Sequence, residues 1–165
     1  MKIGIITVSD SCSVKKREDK SGPLIRQMVE SLGKVIKYEI IPDEKDSISQ
    51  TIKEAVDQLK ADLVLTTGGT GVSFRDVTPE ATREVVEKEI PGFGEFMRQK
   101  SFKTTPLAVL SRATAGTRGK SLIINLPGSP KAVKECLEII LPVIPHCLDM
   151  IKGKGHEKCA VLQRH

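Results

Sequence analysis

Four short apolar segments alternate with helix-forming segments along this chain, and this alternation constrains the fold more than any other feature. The segments are rich in Ile, Val, Leu and Thr, and they have the length and continuity of strands buried on both faces. The connections between them are long enough to hold helices, as in parallel sheets with right-handed crossovers. The sequence therefore predicts a doubly wound α/β sandwich with a mostly parallel sheet, whose strands are "KIGIITVS" (2–9), "KVIKYEII" (34–41), "DLVLTT" (62–67) and "SLIIN" (121–125).

Capping residues and prolines mark the helix boundaries between these strands. The segment "LAVLSRATAGTRGK" (107–120) fits either a turn or a further strand, and "PGFGEFMRQKSF" (91–102) predicts an irregular helix. The first predicted helix starts at Ser21 and Pro23 and ends at Gly33, and the second is capped by Asp46 or Ser47. Two later helices start at Thr78–Pro79 and at Ser129–Pro130, and the last of these is bent or split by Pro142 and Pro145.

The length of 165 residues suits one domain. We expect this domain to span residues 1–151 and to be followed by a polar tail at 152–165. No apolar run approaches the roughly 20 residues that cross a bilayer, and the first residues have a strand pattern instead of a targeting signal. The four cysteines show no C-x-x-C spacing, and a domain of this size needs no disulfides. A cytoplasmic protein without a membrane partner is the expectation.

The charge pattern argues against a nucleic-acid partner. The formal net charge is +5, from 26 basic and 21 acidic residues, but tryptophan is absent and there is one tyrosine. The basic residues are scattered among acidic ones and form no stripe with stacking aromatic side chains. A modest positive balance of this kind favours a small polyanionic ligand.

Three aspartates follow predicted strands at the edge of the sheet where ligands bind in doubly wound folds. Asp10 ends the first strand, Asp43 follows the second in "PDE", and Asp76 comes after the third in "FRD". An aspartate after a strand is often only a cap or turn former, and this reading suits Asp10 in particular. For Asp43 and Asp76 the structural and functional readings remain equally open on the residues alone.

Two glycine turns belong to the same edge. "GGTG" (68–71) has neither the G-x-G-x-x-G spacing of a dinucleotide fold nor the lysine of a P-loop. It does offer backbone that can adopt positive φ, together with the hydroxyls of Thr67 and Thr70, and such a turn can bind an anion. "NLPGSP" (125–130) repeats the arrangement before a helix, whose positive dipole end would face the ligand. Two such turns with acids between them indicate a long phosphate-bearing ligand and Mg²⁺.

These segments together carry a resemblance to a known family. "TVSD", "TTGGTG", "RDVTPEAT", "PGFGEFMRQKS" and "LSRATAGTRGKSLIINLPGSPKAVKECL" occur in this order along the chain. In this combination the chain resembles the MogA type of molybdenum cofactor biosynthesis proteins, the molybdopterin adenylyltransferases. It is equally similar to the corresponding domains of gephyrin and of the plant fusion enzymes. The resemblance covers the chain from about Lys2 to Ile151.

The resemblance implies a three-layer α/β/α fold and the transfer of AMP from Mg·ATP to the terminal phosphate of molybdopterin, with release of pyrophosphate. It also implies a homotrimer and hand-over of the product to a molybdate-inserting enzyme. Asp43 and Asp76 match the essential acids and are expected to hold the metal. The positions implied to bind the two substrates are Asp10, Gly68, Gly69, Thr70, Gly71, Ser101, Ser111, Asn125, Gly128 and Ser129.

Two alternatives stay open at this point. The MoaB type shares almost every one of these motifs and differs mainly in assembly, which is commonly hexameric. The other alternative is a non-catalytic molybdopterin carrier or a gephyrin-like scaffold that binds a peptide. The presence of Asp43 and Asp76 argues against a binding module that has lost catalysis.

Overall fold

The computed structural model describes residues 1–154, and residues 155–165 lie outside the described part. Most of the predicted polar tail at 152–165 therefore lies outside the described residues. The strands are β1 (Lys2–Val8), β2 (Lys34–Ile41), β3 (Leu63–Thr67), β4 (Lys88–Glu89), β5 (Ala115–Arg118) and β6 (Ser121–Leu126). The helices are α1 (Asp10–Ser13), α2 (Ser21–Met28), α3 (Lys45–Lys53), α4 (Thr78–Val85), α5 (Pro91–Ser101), α6 (Pro130–Ile140) and α7 (Ile144–Ile151), with a π-helical turn at Glu54–Gln58 and a 3-10 helix at Pro106–Leu110.

Within residues 1–154 the strands form one mixed sheet in the order β2-β1-β3-β6-β5-β4. β1 pairs in parallel with β2 and β3, and β3 pairs in parallel with β6. β5 and β4 extend the sheet in antiparallel fashion, so the ambiguous segment 107–120 contributes the end of the 3-10 helix and then β5. The chain runs from β1 to β2 on one side and later places β3 on the other side of β1. The switch in strand order therefore lies between β1 and β3.

Helices cover both faces of the sheet, which confirms the expected three layers. Alternate residues along a central strand enter separate apolar clusters, as Leu65 and Val64 of β3 do, because successive side chains of a strand point to opposite faces. One cluster packs beneath α2, α5, α6 and α7, and the other beneath α3 and α4. The central strands are buried between the two layers, so polar groups at their carboxyl ends are held on a rigid support.

The proline-marked boundaries are confirmed. α4 begins at Thr78 and α6 begins at Pro130, directly after Ser129. Pro142 lies between the end of α6 and the start of α7, and Pro145 lies in the first turn of α7, so the two prolines separate the helices as predicted. Within this part of the chain, none of the helices combines the length and the apolar character required to cross a lipid bilayer.

Two predicted boundaries are wrong. α3 begins at Lys45, so Asp46 and Ser47 lie in its first turn instead of capping it. The acid at Asp46 stands near the positive end of the helix, where its charge is favourable without a capping bond. α2 ends at Met28, well before Gly33, because the chain turns between Val29 and Leu32 on its way into β2.

Candidate functional site

A cavity of about 730 Å³ opens at the carboxyl ends of β1 and β3, at the switch in strand order. The end of β1, the loop after β3 and the start of α6 all contribute to its wall. This is the edge at which doubly wound sheets bind their ligands. The predicted site residues that line the cavity are Asp43, Asp76, Gly68, Gly69, Gly128 and Ser129.

The loop after β3 passes close to the end of β1 in a conformation that requires glycine. Gly68 has a φ of +97° and Gly69 a φ of +62°, both in the region that side chains disfavour. A Cβ atom on Gly68 would lie 2.2 Å from the carbonyl oxygen of Val8. The absence of a side chain therefore allows the loop to cross the end of β1 and reach the cavity.

The same loop carries backbone N–H groups without protein partners. Among residues 1–154, the N–H groups of Gly69, Thr70, Gly71 and Val72 donate to no protein acceptor. Runs of unpaired N–H groups next to left-handed residues are the arrangement with which backbone binds anions. The loop can therefore donate several hydrogen bonds to a phosphate group.

The loop between β6 and α6 forms the opposite wall of the cavity. Ser129 caps α6, since its Oγ accepts a hydrogen bond from the backbone N–H of Ala132 at 3.3 Å. Ser21 Oγ donates to the carbonyl oxygen of Gly128 at 2.8 Å, which ties this loop to the start of α2. Because Ser129 lines the cavity, the positive end of the α6 dipole adds to its attraction for anions.

Asp10 and Asp43 connect the ends of β1 and β2 through a reciprocal pair of hydrogen bonds. The backbone N–H of Asp10 donates to Asp43 Oδ2 at 2.8 Å, and the backbone N–H of Asp43 donates to Asp10 Oδ1 at 3.0 Å. Arg75 then grips the Asp10 carboxylate from the loop after β3, through Nε at 3.0 Å and Nη2 at 2.9 Å. Asp10 thus holds Asp43 in place. The predicted contact of Asp10 with substrate stays a prediction.

The two carboxylates have opposite electrostatic environments. The hydrogen bonds from Arg75 and from the backbone of Asp43 hold the pKa of Asp10 below its usual value. Burial raises the pKa of Asp43, and the negative charges of Asp10 and Asp76 act in the same direction. When the ionised form of an acid is disfavoured in the ligand-free protein, a bound cation stabilises that form. Asp43 therefore has the electrostatic character of a cation ligand.

Thr70 and Gly71 belong to the glycine loop but lie behind the cavity wall. Thr70 is buried, and its carbonyl oxygen accepts a hydrogen bond from the backbone N–H of Arg112 at 2.8 Å. The carbonyl oxygen of Gly71 accepts from Arg112 Nε at 2.6 Å. These contacts leave the backbone N–H groups of both residues unpaired, and the predicted role of Thr70 and Gly71 in substrate binding stays a prediction.

Ser101 and Ser111 are not brought to the acids. They line a second cavity of about 210 Å³, together with Met97 and Cys136. Ser101 Oγ lies 3.8 Å from Cys136 Sγ, and most of the cavity wall is apolar. The segment after β6 separates the two cavities, since Pro127 lines the second one and Gly128–Pro130 line the first. The predicted substrate-binding residues thus lie in two neighbouring cavities, and the predicted role of Ser101 and Ser111 stays a prediction.

Asn125 lies in neither of these two cavities. It is fully buried in β6, and its amide nitrogen donates to Thr66 Oγ1 at 2.9 Å and to Thr82 Oγ1 at 2.8 Å. Its Oδ1 accepts a hydrogen bond from the backbone N–H of Thr114. These contacts join β3, α4 and the start of β5. In this structure Asn125 supports the sheet beneath the site, and its predicted contact with substrate stays a prediction.

Several polar residues of the main cavity belong to no motif that the sequence shows. Arg17, Glu18, Asp19 and Lys20 line the cavity from the loop between α1 and α2, and Ser21 lines it from the start of α2. Arg17 Nη2 donates to Ser9 Oγ at 3.4 Å, so its positive charge lies near the end of β1 in the wall of the same cavity. The signal was available, because this loop follows a strand at the same edge of the sheet as the three aspartates. The charged residues of this loop have both signs and match no motif, so the sequence alone does not mark the loop as part of the site.

The geometry defines a class of protein. A switch-point cavity has a loop of unpaired N–H groups on one wall and a helix N-terminus on another, with carboxylates between them. Such a cavity is suited to a phosphate-bearing ligand, and its acids suit a ligand that is accompanied by a cation. The chain is thus a doubly wound α/β protein whose switch-point cavity has the features of an anion site.

Comparison with known proteins identifies the family. Residues 4–146 match the family model described as a probable molybdopterin binding domain, and the chain belongs to this family. It is 50% identical over 154 residues to the molybdopterin adenylyltransferase of Helicobacter pylori strain J99, an alignment that covers 92% of this chain and 88% of the relative. The resemblance drawn from the sequence motifs is confirmed.

Solved structures give the same family. The molybdopterin biosynthesis enzyme MoaB from Thermus thermophilus superposes with a TM-score of 0.87 at 46% identity, over 93% of this chain and 97% of that one. The tungsten cofactor synthesizing protein MoaB from Pyrococcus furiosus has a TM-score of 0.86 at 44% identity, over 92% and 96% of the two chains. The predicted α/β sandwich is therefore the fold of this family.

Proposed function

We propose that this protein is a molybdopterin adenylyltransferase, which transfers AMP from Mg·ATP to the terminal phosphate of molybdopterin and releases pyrophosphate. The observation that carries the proposal is the switch-point cavity, in which two phosphate-binding loops face Asp43 and Asp76. A reaction between two phosphate-bearing substrates requires such a combination. The relatives named for this activity support the assignment.

The chemistry asks the protein mainly for positioning and charge neutralisation. In the proposed step a terminal phosphate oxygen of molybdopterin forms a bond to the α-phosphorus of ATP, and the bond between that phosphorus and the oxygen leading to the β-phosphate breaks. The electron pair leaves with pyrophosphate. The attacking phosphate oxygen already lacks a proton, so the step needs little general-base help. The unpaired N–H groups of the loop after β3 and the α6 dipole would stabilise the negative charges brought together.

Asp43 and Asp76 fit the role of holding Mg²⁺. Both line the phosphate cavity, and Mg²⁺ is usually bound through one or two carboxylates together with substrate phosphates. Within the described part of the chain, no group of three or more His, Cys, Asp or Glu is arranged to hold a metal. The two carboxylates of Asp43 and Asp76 suit a metal that arrives already bound to ATP. When bound, Mg²⁺ would supply positive charge to the triphosphate.

The second cavity is proposed to take part of the molybdopterin. Its mostly apolar wall with a few polar groups, among them Ser101 and Ser111, has the composition of a site for a flat heterocycle. It shares the segment after β6 with the phosphate cavity. A substrate with a ring at one end and a phosphate at the other would place the two ends in neighbouring cavities.

The proposal is tested by incubating the protein with Mg·ATP and molybdopterin and measuring adenylated pterin and pyrophosphate. We expect Asp43→Asn and Asp76→Asn each to lower turnover by about 100-fold or more, as for groups that stabilise a charged transition state. The double variant should lose little more than either single variant, because the acids act as a unit. Asp57→Asn is the control, since Asp57 pairs with Arg118 and lines a different cavity. Parent-like turnover in either single variant would remove that acid from the proposed role.

The same assay separates the alternatives. A non-catalytic carrier would bind molybdopterin in an equilibrium titration but form no adenylated pterin. A MoaB-type protein is the second candidate, because MoaB structures superpose closely on this chain. If AMP transfer occurs, the MoaB reading reduces to a difference in assembly.

We also propose that the protein works as a homotrimer in the cytoplasm and hands its product to a molybdate-inserting enzyme. Exposed apolar side chains at Phe102, Leu107, Val109 and Leu110 support self-association. The free thiols of Cys12, Cys136 and Cys147 suit a reducing compartment. Sedimentation equilibrium at micromolar concentration tests the assembly, and a monomer or a hexamer there would refute the trimer.

A further inference from the structure

Arg112 forms several hydrogen bonds with the glycine loop after β3, and no sequence motif indicates them. It lies between the 3-10 helix and β5, and its side chain is about one-third exposed. Its backbone N–H bonds to the carbonyl oxygen of Thr70 at 2.8 Å and its Nε to that of Gly71 at 2.6 Å. Its Nη2 donates to the carbonyl oxygen of Asp76, and its Nη1 to Glu80 Oε1 in α4. One residue thus binds both ends of the loop and the helix behind it.

These contacts determine which way the loop presents its N–H groups. In a trans peptide the carbonyl oxygen and the N–H of the same unit point in opposite directions. The Thr70 carbonyl belongs to the same peptide unit as the N–H of Gly71, and the Gly71 carbonyl to the same unit as the N–H of Val72. Arg112 binds both of these carbonyl oxygens. Both of these N–H groups lack a protein acceptor among the described residues. Arg112 therefore holds the loop by its carbonyl side and leaves the N–H side free.

The contact with Asp76 is made at the backbone and not at the carboxylate. The carboxylate instead accepts a hydrogen bond from the backbone N–H of Ser73 at 2.8 Å. Fixing the main chain of Asp76 therefore fixes where its carboxylate stands in the cavity. Glu80 keeps the guanidinium oriented as its counter-ion. Burial works to raise the pKa of Glu80, but the hydrogen bond from Arg112, a backbone hydrogen bond and the positive charges of Arg112 and Arg83 together hold the pKa below its usual value.

We propose that Arg112 is a positioning residue for the proposed AMP transfer, which orients the N–H groups of the loop after β3 and places the Asp76 carboxylate. This inference rests on the proposed function for its catalytic consequence, although the orientation of the loop can be tested separately. Arginine is required because its planar fork serves three acceptors at once, whereas lysine offers a single ammonium group. The positive charge alone is insufficient.

The test compares Arg112→Lys with Arg118→Lys. Arg118 is the matched control because it is similarly buried, forms an ion pair with Asp57 and donates to the carbonyl oxygen of Val85, away from the loop. The first measurement is the affinity of each protein for pyrophosphate with Mg²⁺, by calorimetric titration. The second is kcat and KM for AMP transfer. Melting temperatures show whether the two substitutions cost comparable stability.

We expect Arg112→Lys to weaken pyrophosphate binding and to lower kcat by about 10–100-fold each, as is typical when a group that orients a ligating residue is lost. The KM for molybdopterin should change much less. Arg118→Lys should match the parent in both measurements. Pyrophosphate affinity in Arg112→Lys within about twofold of the parent would overturn the proposal, and so would equal losses in the two variants or a parent that binds no pyrophosphate. If the parent transfers no AMP but Arg112→Lys still weakens pyrophosphate binding, the proposed function fails and the positioning role stands.

Discussion

Replacing Gly69 by alanine tests whether the loop after β3 requires a residue without a side chain. With Gly69 at a φ of +62°, an added Cβ would lie 2.4 Å from Thr78 Oγ1 and 3.0 Å from Asp43 Oδ1. The first separation is far shorter than a carbon–oxygen contact allows. The second pushes on a carboxylate proposed to hold the metal. Gly69→Ala should therefore reduce both the stability of the protein and its turnover.

Gly119→Ala separates the backbone strain from the collision. Gly119 has a φ of +55°, and a Cβ there would meet nothing within 4 Å. A left-handed alanine costs about 1–2 kcal/mol, and overpacking adds about 1–3 kcal/mol. A loss of 1 kcal/mol lowers Tm by about 2–4 °C in a chain of this size. We expect a decrease of about 2–8 °C for Gly119→Ala and of about 4–20 °C for Gly69→Ala.

The assay combines thermal unfolding with AMP transfer at a temperature where both variants are folded. Gly119→Ala should keep the kcat/KM of the parent. Gly69→Ala should lower kcat/KM, because the new Cβ forces Thr78 to move and presses on the Asp43 carboxylate. A displacement of about 1 Å can cost about 100-fold, which gives the upper limit of the loss. Equal decreases in Tm for the two variants, together with parent-like turnover for Gly69→Ala, would refute the close approach of the loop to Asp43 and Thr78.

Two further predictions concern polar groups at and beneath the cavity. Because burial raises the pKa of Asp43, its ionised form destabilises the ligand-free protein above the raised pKa, and this cost disappears below the ordinary aspartate pKa. Asp43→Asn should therefore raise Tm at about pH 7 and leave it nearly unchanged at about pH 3; a lower Tm at the higher pH would contradict the electrostatic account. Asn125→Ala should lower the free energy of unfolding by about 2–4 kcal/mol, since it removes the partner of two buried threonine hydroxyls, while molybdopterin affinity, measured by titration of folded protein, stays within about twofold. A large loss of affinity with unchanged stability would instead support direct contact of Asn125 with substrate.

The central fold could be predicted because its signals are local. The parallel strands β1, β2, β3 and β6 are apolar runs that need no tertiary information, and prolines mark the starts of α4 and α6. β4 has two residues and β5 four, too few for a pattern to emerge. The predicted end of α2 was wrong because no residue in the sequence marks the turn into β2. Gly33 is a typical helix-ending residue, but it lies several residues beyond the end of the helix at Met28.

The site could be predicted only where residues follow strand ends. Asp43, Asp76 and the glycine turns meet in one cavity because parallel strands bring their carboxyl ends to the same edge. The separation of Ser101 and Ser111 into a second cavity depends on how α5 packs on α6, which no motif encodes. The grip of Arg112 on the glycine loop links residues 41 apart in the chain, and such a contact follows from the packed structure alone.

The order of the strands also has a consequence for the synthesis of the chain. β3 is complete at Thr67, but the neighbour on its open side, β6, begins only at Ser121. During translation the interval between them leaves β3, a strand that is fully buried in the folded protein, with one edge lacking its partner. An uncovered strand edge is a template for pairing with another chain. The nascent protein is thus most prone to aggregation just before β6 emerges, and the arrival of that strand both closes the edge and completes the loop that forms the second wall of the phosphate cavity.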